Sequence, residues 1–408
     1  MKYLFIIFLF FLHTLDLSSQ VITNYTTSDG LVDNYVECID IDMNDNVWFG
    51  TSLGVQMFDG SNWYLWNQAN FPGLLSNNIK CIRALSNGEI WVGTDYGVSK
   101  FQYSIPGSNW IPYTSSDGLV SNQVKSIDED PISGVWIGTS QGVSHFDGVS
   151  WVSFSSDLHW SGVCGTDFDS NGDKWFVSPL GGVTHYDGNS FTVYDTSSGL
   201  LSQNATSIVI DDFDNKWIGT GSGISVLDAN NSIASNYTQM YILSPPDTLN
   251  PVVNLEIDSD GNIWAAIYVG YLAKGGIVRF DSNQWMNFDV SDGVIGENVK
   301  GIALDSDDNA WVSTSTGVSK ISLFSTYTDD LSFKQPIIFP NPSSDKLFIA
   351  ENYRSQIDEI IVYDSFGNVV LKEKNNFSNI SLSSLSSGVY YLMINSSNKF
   401  LIEKLIIN

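Results

Sequence analysis

The sequence predicts an all-β chain in two parts, a ring of repeated four-stranded sheets followed by a small sandwich. The first observation is a phrase, Trp48-Phe49-Gly50-Thr51, that returns as Trp91-Val92-Gly93-Thr94, Trp136-Ile137-Gly138-Thr139 and Trp217-Ile218-Gly219-Thr220, and in degraded form at Trp175, Trp264 and Trp311. These seven tryptophans stand 43, 45, 39, 42, 47 and 47 residues apart, a period that marks a repeat architecture. The second is that each unit holds short β-branched and aromatic runs between Asp-Gly and Asn-rich turns, with no helical periodicity. The third is that the period stops at Ile321, where a different alternating pattern begins. The fold class that follows is a seven-bladed β-propeller closed by its N-terminal strand, then a small immunoglobulin-like β-sandwich.

Residues 1–19 read as a secretory signal peptide. Lys2 supplies the positive end, Leu4–Leu12 is a short apolar run, and Ser18 and Ser19 precede Gln20. That run is too short for a permanent membrane helix, and no later stretch approaches the length needed, so the mature chain is expected to lack a membrane-spanning segment.

Residues 20–321 form the propeller. Ten residues before the seven tryptophans stand Cys38, Cys81, Ser126, Gly165, Ser207, Asn254 and Gly301, nearly all small, as an innermost strand near the axis requires. Six before stand Asp42, Leu85, Asp130, Asp169, Asp211, Asp258 and Asp305. After each Trp a Gly-hydrophobic pair, such as Gly54-Val55 or Gly317-Val318, opens the next strand. An aromatic fourth strand follows, marked by Trp63, Trp110, Trp151, Phe191 and Trp285. Each unit is therefore four strands, with the key tryptophan on the second, where it fills the space between neighbouring sheets. The last unit lacks its fourth strand. Val21–Leu31 resembles that missing text in the segments starting at Trp110 and Trp285, so it is expected to complete the last sheet and remove its free edge.

These units resemble the two-component-regulator propeller repeat, with its pattern Asp-x-x-Gly-x-x-Trp-x-Gly-Thr-x-x-Gly-hydrophobic. The resemblance spans Val21 to Ile321 and implies a propeller of the kind found in sensor ectodomains and secreted proteins. Residues 322–335 are a polar linker. Residues 336–408 carry Ile338-Phe339-Pro340-Asn341-Pro342, Ile360-Ile361-Val362-Tyr363-Asp364-Ser365-Phe366-Gly367, the run Leu382–Tyr391 and a terminal Lys404-Leu405-Ile406-Ile407-Asn408. In this order they resemble the sorting domain of the type IX secretion pathway. That resemblance implies a secretion-machinery partner, passage across the outer membrane, and a secreted or cell-surface location.

Composition narrows the function. Eighteen lysines and arginines against 45 acidic residues give a net charge of −27, which leaves no basic face for nucleic acid. Three cysteines, Cys38, Cys81 and Cys164, are an odd number for a disulfide framework, and the chain is long enough to bury a core without one.

The run Asp167-Phe168-Asp169-Ser170-Asn171-Gly172 fits the start of a calcium loop, making Asp167, Asp169 and Asn171 weak metal candidates. The twelfth position is Ser178 rather than Glu, and the aspartate recurs in six of seven units, which suits a structural turn better. His145 and His185 share one position that holds Met57, Lys100, Val226, Arg279 and Lys320 elsewhere, so they read as exposed and generic. No catalytic triad or zinc spacing is present.

Departures from the repeat single out one face. The segment Ala266–Gly275 reads as a second-to-third-strand loop six residues longer than usual, and the connection Tyr241–Pro251 is long as well. Both rise on the face that carries Tyr96, His159 and Trp160, and long loops on a rigid scaffold are where binding resides. The candidate ligand-binding residues are Tyr96, His159, Trp160, Tyr268, Tyr271 and Lys274, and no catalytic residue or cofactor is assigned apart from the calcium candidates. The expectation is an exported non-catalytic propeller that binds a glycan or a surface protein. The alternatives are a secreted polysaccharide hydrolase or lyase and a ligand-sensing ectodomain.

Overall fold

The structure, a computed structural model, describes residues 19–103, 109–132, 134–155, 158, 162–241 and 250–324 of the repeated part. Beyond it are described residues 338–339, 342–343, 345–349, 354, 357, 359–364, 369–374, 377–396 and 399–407. The signal-peptide reading of residues 1–19 falls almost wholly outside these residues, as do the linker and the connection 242–249. The chain divides into a unit spanning Gln20–Phe324 and a second unit beginning at Ser325.

Among the described residues the first unit holds seven four-stranded antiparallel sheets. Strand β1 (Ser19–Tyr25) comes first. Sheet 1 is β2 (Val36–Ile41), β3 (Val47–Thr51), β4 (Val55–Phe58) and β5 (Trp63–Trp66); sheet 2 is β6 (Cys81–Ala84), β7 (Glu89–Thr94), β8 (Gly97–Gln102) and β9 (Ile111–Tyr113). Sheet 3 is β10 (Val124–Glu129), β11 (Val135–Thr139), β12 (Gly142–Phe146) and β13 (Trp151–Phe154); sheet 4 is β14 (Gly165–Phe168), β15 (Lys174–Ser178), β16 (Gly182–Tyr186) and β17 (Phe191–Tyr194). Sheet 5 is β18 (Ala205–Ile210), β19 (Lys216–Thr220), β20 (Gly223–Leu227) and β21 (Ile233–Tyr237); sheet 6 is β22 (Val252–Ile257), β23 (Ile263–Val269), β24 (Lys274–Phe280) and β25 (Trp285–Phe288). Sheet 7 is β26 (Val299–Leu304), β27 (Ala310–Thr314) and β28 (Val318–Phe324), with β1 as its fourth strand beside β28. The third strand of sheet 7 thus runs three residues past Ile321, where the repeat stops being legible.

The first strands of successive sheets are neighbours from β2 through β6, β10, β14, β18 and β22 to β26, and β26 in turn neighbours β2. They surround a channel. Tyr25 of β1 stacks on Trp311 at 5.3 Å, and Asn24 Oδ1 accepts a hydrogen bond from Ser319 Oγ at 2.7 Å.

The repeated phrase has a local physical reason at each letter. The indole N–H of Trp48 donates to Asp42 Oδ2 at 3.0 Å, and Trp136, Trp175, Trp217, Trp264 and Trp311 do the same to the aspartate six residues before. Sheet 2 has Leu85 at that place, and Trp91 donates to Glu89 Oε2 instead, at 2.9 Å. The other carboxylate oxygen holds the turn: Asp42 Oδ1 accepts from the backbone N–H groups of Asn44 and Asn46. Glycine at position 50 is obligatory because a Cβ there would lie 2.3 Å from Cys38 Sγ and 2.7 Å from Ile79. Thr51 Oγ1 then donates to Gly54 O at 3.0 Å, fixing the turn into β4.

On each tryptophan face lies a side chain from the third strand of its own sheet. Lys100, Arg279 and Lys320 sit over Trp91, Trp264 and Trp311 at 5.4, 5.6 and 5.0 Å, an attraction of roughly 0.5–2 kcal/mol each. The same position holds His145, stacked on Trp136 at 4.7 Å, and His185, stacked on Trp175 at 4.4 Å. Both histidines are therefore largely covered, 16% and 13% exposed, which corrects the exposed and generic reading of that position. Substitution there is free because a cation, a flat ring or an aliphatic side chain such as Met57 or Val226 can each cover an indole, not because the site is bare.

The second unit places β29 (Ile338–Phe339), β30 (Lys346–Ile349) and β33 (Ile380–Ser381) in one sheet. The other sheet is ordered β32 (Val369–Glu373), β31 (Glu359–Tyr363), β34 (Gly388–Ser396) and β35 (Lys399–Ile407). Leu347, Ile349, Ile360, Val362, Leu382, Leu392 and Leu405 form its core, the two-sheet arrangement that alternating apolar residues specify.

Candidate functional site

Two features of the first unit are chemically distinctive, the channel and the face from which its loops rise. The channel has a volume of about 520 Å³ and is lined by β2, β6, β10, β14, β18, β22 and β26. Register makes its lining layered. Eight residues before each key tryptophan stand Asp40, Arg83, Asp128, Asp167, Val209, Glu256 and Ala303; eleven before stand Glu37, Lys80, Lys125, Cys164, Thr206, Val253 and Lys300. Three residues of strand separate the layers, about 10 Å. One layer carries four carboxyls and a single guanidinium, and the other carries three lysines and one carboxylate. The lysine layer lies toward the loop face, where the first strands begin.

Confinement dominates the acid layer. Burial pushes Glu256 up to about 8, Asp167 up to about 7 and Asp128 up to about 6, and it raises Asp40 despite the opposing charge of Arg83. Arg83 Nε lies 4.0 Å from Asp40 Oδ2 and is held in its charged form chiefly by Asp40. Its side chain is 41% exposed to the water of the channel, so this pair is a screened one. Asp40 accepts from Ile41 N and, across the sheet boundary, from Ala84 N at 2.7 Å. Asp167 repeats this with Phe168 N and Ile210 N. These two aspartates join neighbouring sheets. Glu256 makes no such bond, which leaves it the acid of the layer most open to other chemistry. The three thiols are free and half-buried, and burial drives Cys164 up to about 12, far from a reactive thiolate.

The candidate calcium residues do not converge. Asp167 turns to the backbone of sheet 5, while Asp169 Oδ1 holds the N–H groups of Asn171 and Asp173 and its Oδ2 takes the Trp175 indole. The ligand atoms that do lie together belong to Asp169, Asp173 and His185, within 4.8 Å of one another, with His185 Nε2 3.0 Å from Asp173 Oδ2.

On the loop face, the segment read as a long loop is mostly strand. Tyr268 pairs with Gly275 and Val269 with Lys274, so the insertion lengthens β23 and β24 and leaves only residues 270–273 as the turn. Lys274 is thus a strand residue. Tyr271 and Leu272 at the tip are 66% and 40% exposed. Tyr268 is half-buried against the core between sheets 6 and 7, and its N–H donates to Pro251 O, joining the hairpin to the long connection before β22. Asn250 pins the ends of that connection: its Oδ1 accepts from Met240 N at 2.7 Å and Tyr241 N at 2.6 Å. Tyr241 Oη bonds Gly275 O and Asp289 Oδ2, tying the connection to β24.

Tyr96 is 65% exposed on the turn between β7 and β8, beside Asp95, whose carboxylate lies 3.8 Å from Lys80 Nζ. Sheets 2 and 6 are not neighbours, so Tyr96 does not meet Tyr268. His159 and Trp160 lie outside the described residues.

What the structure adds is Tyr35, Lys300 and Glu37. Lys300 Nζ sits 5.1 Å from the centre of the Tyr35 ring and 3.9 Å from Glu37 Oε2. Burial works against its charge, yet Tyr35, Glu37 and Tyr268 together keep it raised. An ammonium over a tyrosine ring, at a channel mouth and beside a tall hairpin, is equipped to bind a polar ligand that also offers a flat face. The sequence signal for it was the eleventh position before each tryptophan, which is charged in four of seven units.

Two family models match the chain. Residues 337–408 match the secretion-system C-terminal sorting domain, and residues 73–96 match the two component regulator propeller. The chain therefore carries the propeller repeat and ends in a type IX sorting domain. No curated protein matches it in sequence. Among solved structures it is similar to the extracellular domain of the hybrid two component system BT3049 of B. thetaiotaomicron, at 18% identity and a TM-score of 0.62, over 95% of this chain and 57% of that one. It is similar to PorZ, a surface component of the type-IX secretion system of Porphyromonas gingivalis, at 16% identity and 0.59, over 92% and 60%. A streptogramin B lyase aligns at 13% identity and 0.61, over 76% and 99%. The chain thus spans under two thirds of the length of the first and second of these, and the likeness in each case is one of fold.

Proposed function

We propose that this chain is exported by a signal peptide and the type IX machinery, and that its first unit is a seven-bladed propeller closed by β1 which binds a glycan or surface protein without transforming it. The observation that carries this is Lys300 set over the ring of Tyr35 and beside Glu37 at the channel mouth, near the β23–β24 hairpin with Tyr271 at its tip. Lys80, Lys125 and Lys300 concentrate positive charge at one mouth of a strongly acidic chain, which favours a ligand rich in acceptors. This reading does not call on calcium; the Asp167 and Asp169 carboxylates accept from backbone and indole N–H groups. A screen of the full exported chain on a glycan array and against surface proteins tests it. Binding that survives Tyr268→Ala plus Tyr271→Ala removes the loop-face site.

The acid layer favours a second reading, acid-base chemistry on a polysaccharide in the channel. Carboxyls held protonated near neutral pH are suited to donate a proton, and Glu256 is the member least committed to structure. Turnover on a polysaccharide panel, abolished by Glu256→Gln, would favour this reading over the first.

A further inference from the structure

The repeat allows one cleft to be compared with its equivalents. Between sheets 1 and 2, the ring of Tyr103 stands edge-on to Trp48 at 5.5 Å and to Trp66 at 6.0 Å, with Phe101 at 6.5 Å. Strand register identifies the same positions between sheets 3 and 4. Met57 and His145 face the key tryptophan, Tyr64 and Val152 face those in turn, and Trp66 corresponds to Phe154. Phe101 and Tyr186 each pair with the residue before the next tryptophan. Counting two residues on, Tyr103 corresponds to Gly188. A Cβ at Gly188 would meet nothing within 4 Å.

The space that Tyr103 fills is open between sheets 3 and 4. A cavity of about 270 Å³ lies there, walled by Trp136, His145, Val152, Phe154 and Tyr186, with Asp130, Ile132 and Lys174 completing the lining. The cations that cover other such clefts are placed differently here. Between sheets 4 and 5, the buried Lys216 puts its Nζ 4.9 Å from the Trp175 ring. Its counterpart Lys174 instead donates to Gly172 O, a carbonyl of its own hairpin. The long third-strand side chains Lys100, Arg279 and Lys320 are replaced by the shorter imidazole of His145.

We infer that the cleft between sheets 3 and 4 is a binding pocket for a phenolic ring, which takes the place that Tyr103 takes between sheets 1 and 2. Four aromatic walls suit a flat ring by edge and face contacts, and the open rim at Val152 leaves the hydroxyl in water. The site is distant in kind from the loop face and independent of what binds there.

The test is an NMR or calorimetric titration of the full chain with p-cresol, in wild type, Val152→Trp and Tyr103→Gly. A ring of this size is expected to bind with roughly millimolar affinity. Wild type should show one site. Val152→Trp, a change at a half-exposed strand residue, should fill the pocket and abolish binding at unchanged thermal stability. Tyr103→Gly should open a second cleft of the same chemistry and raise the stoichiometry to two. Tighter binding of N-acetyl-tyrosinamide than of p-cresol identifies a tyrosine of a peptide as the source of the ring; equal or weaker binding identifies a free aromatic molecule. Failure of p-cresol to bind, equal binding of cyclohexanol, or binding unaffected by Val152→Trp overturns the inference.

Discussion

Ser306 donates both its backbone N–H and its hydroxyl to the carboxylate of Asp45, at 2.9 and 2.6 Å, across 261 residues of sequence. The contact joins sheet 7 to sheet 1. It repeats between Ser170 and Asp214 and between Ser259 and Asp308, which join sheets 4 to 5 and 6 to 7. Each of these aspartates has a φ of 58–60°, a left-handed conformation that aspartate and asparagine accept better than alanine. Asp45→Ala should therefore lower stability by about 2 kcal/mol, half from the backbone and half from the lost bonds. Asp45→Asn should lower it by less, because it keeps the turn. Urea midpoints of the two variants check this, and an Asp45→Ala midpoint equal to wild type would show that the clamp contributes nothing.

The aspartate under each tryptophan should matter in proportion to what it holds. Asp258 accepts from the Trp264 indole, from Arg279 Nε and from turn amides, and its side chain is 2% exposed. Replacing it with alanine leaves a largely buried guanidinium and an indole N–H unpartnered, at a cost of about 3–5 kcal/mol. Asp211 serves Trp217 and its turn, but the third-strand residue there is Val226, so Asp211→Ala should cost less, about 1–3 kcal/mol. Thermal unfolding of the two variants, side by side, shows whether the order holds.

The acid layer makes stability depend on pH in a defined direction. Glu256, Asp167 and Asp128 titrate near 8, 7 and 6 in the folded chain, against about 4 when unfolded. From about pH 4 to pH 8 the folded state therefore binds more protons than the unfolded state, so stability falls as pH rises through that window. Glu256→Gln removes the largest part of the slope at its upper end. Urea midpoints across this range should decline in wild type and decline less in the variant; a wild-type midpoint that climbs with pH would contradict the assignment.

Much of the fold was legible because its determinants are local and repeated. The indole–aspartate bond, the glycine at position 50 and the threonine at position 51 each act within one sheet, and each left a letter in the repeat. The site was less legible. Asp40, Arg83, Asp128, Asp167 and Glu256 come from five strands and meet only because register puts one position of every first strand on the channel. Their identities vary from sheet to sheet, so the repeat does not mark them, and Asp167 reads instead as part of a calcium loop. Tyr35 and Lys300 stand 265 residues apart for the same reason. The histidines differ: variability at their position suggests exposure, whereas the indole beneath accepts several kinds of cover.

The most direct measurement of the proposed binding role uses a ligand found on the glycan array or among surface proteins, titrated into the full exported chain and into Lys300→Gln and Tyr35→Ala variants of unchanged thermal stability. Loss of one charge-assisted contact or one stacking ring at the channel mouth should weaken binding by roughly tenfold each. Affinity unchanged in both variants, or consumption of the ligand by the wild-type chain, would contradict a non-catalytic binding face built on Tyr35, Lys300 and Tyr268.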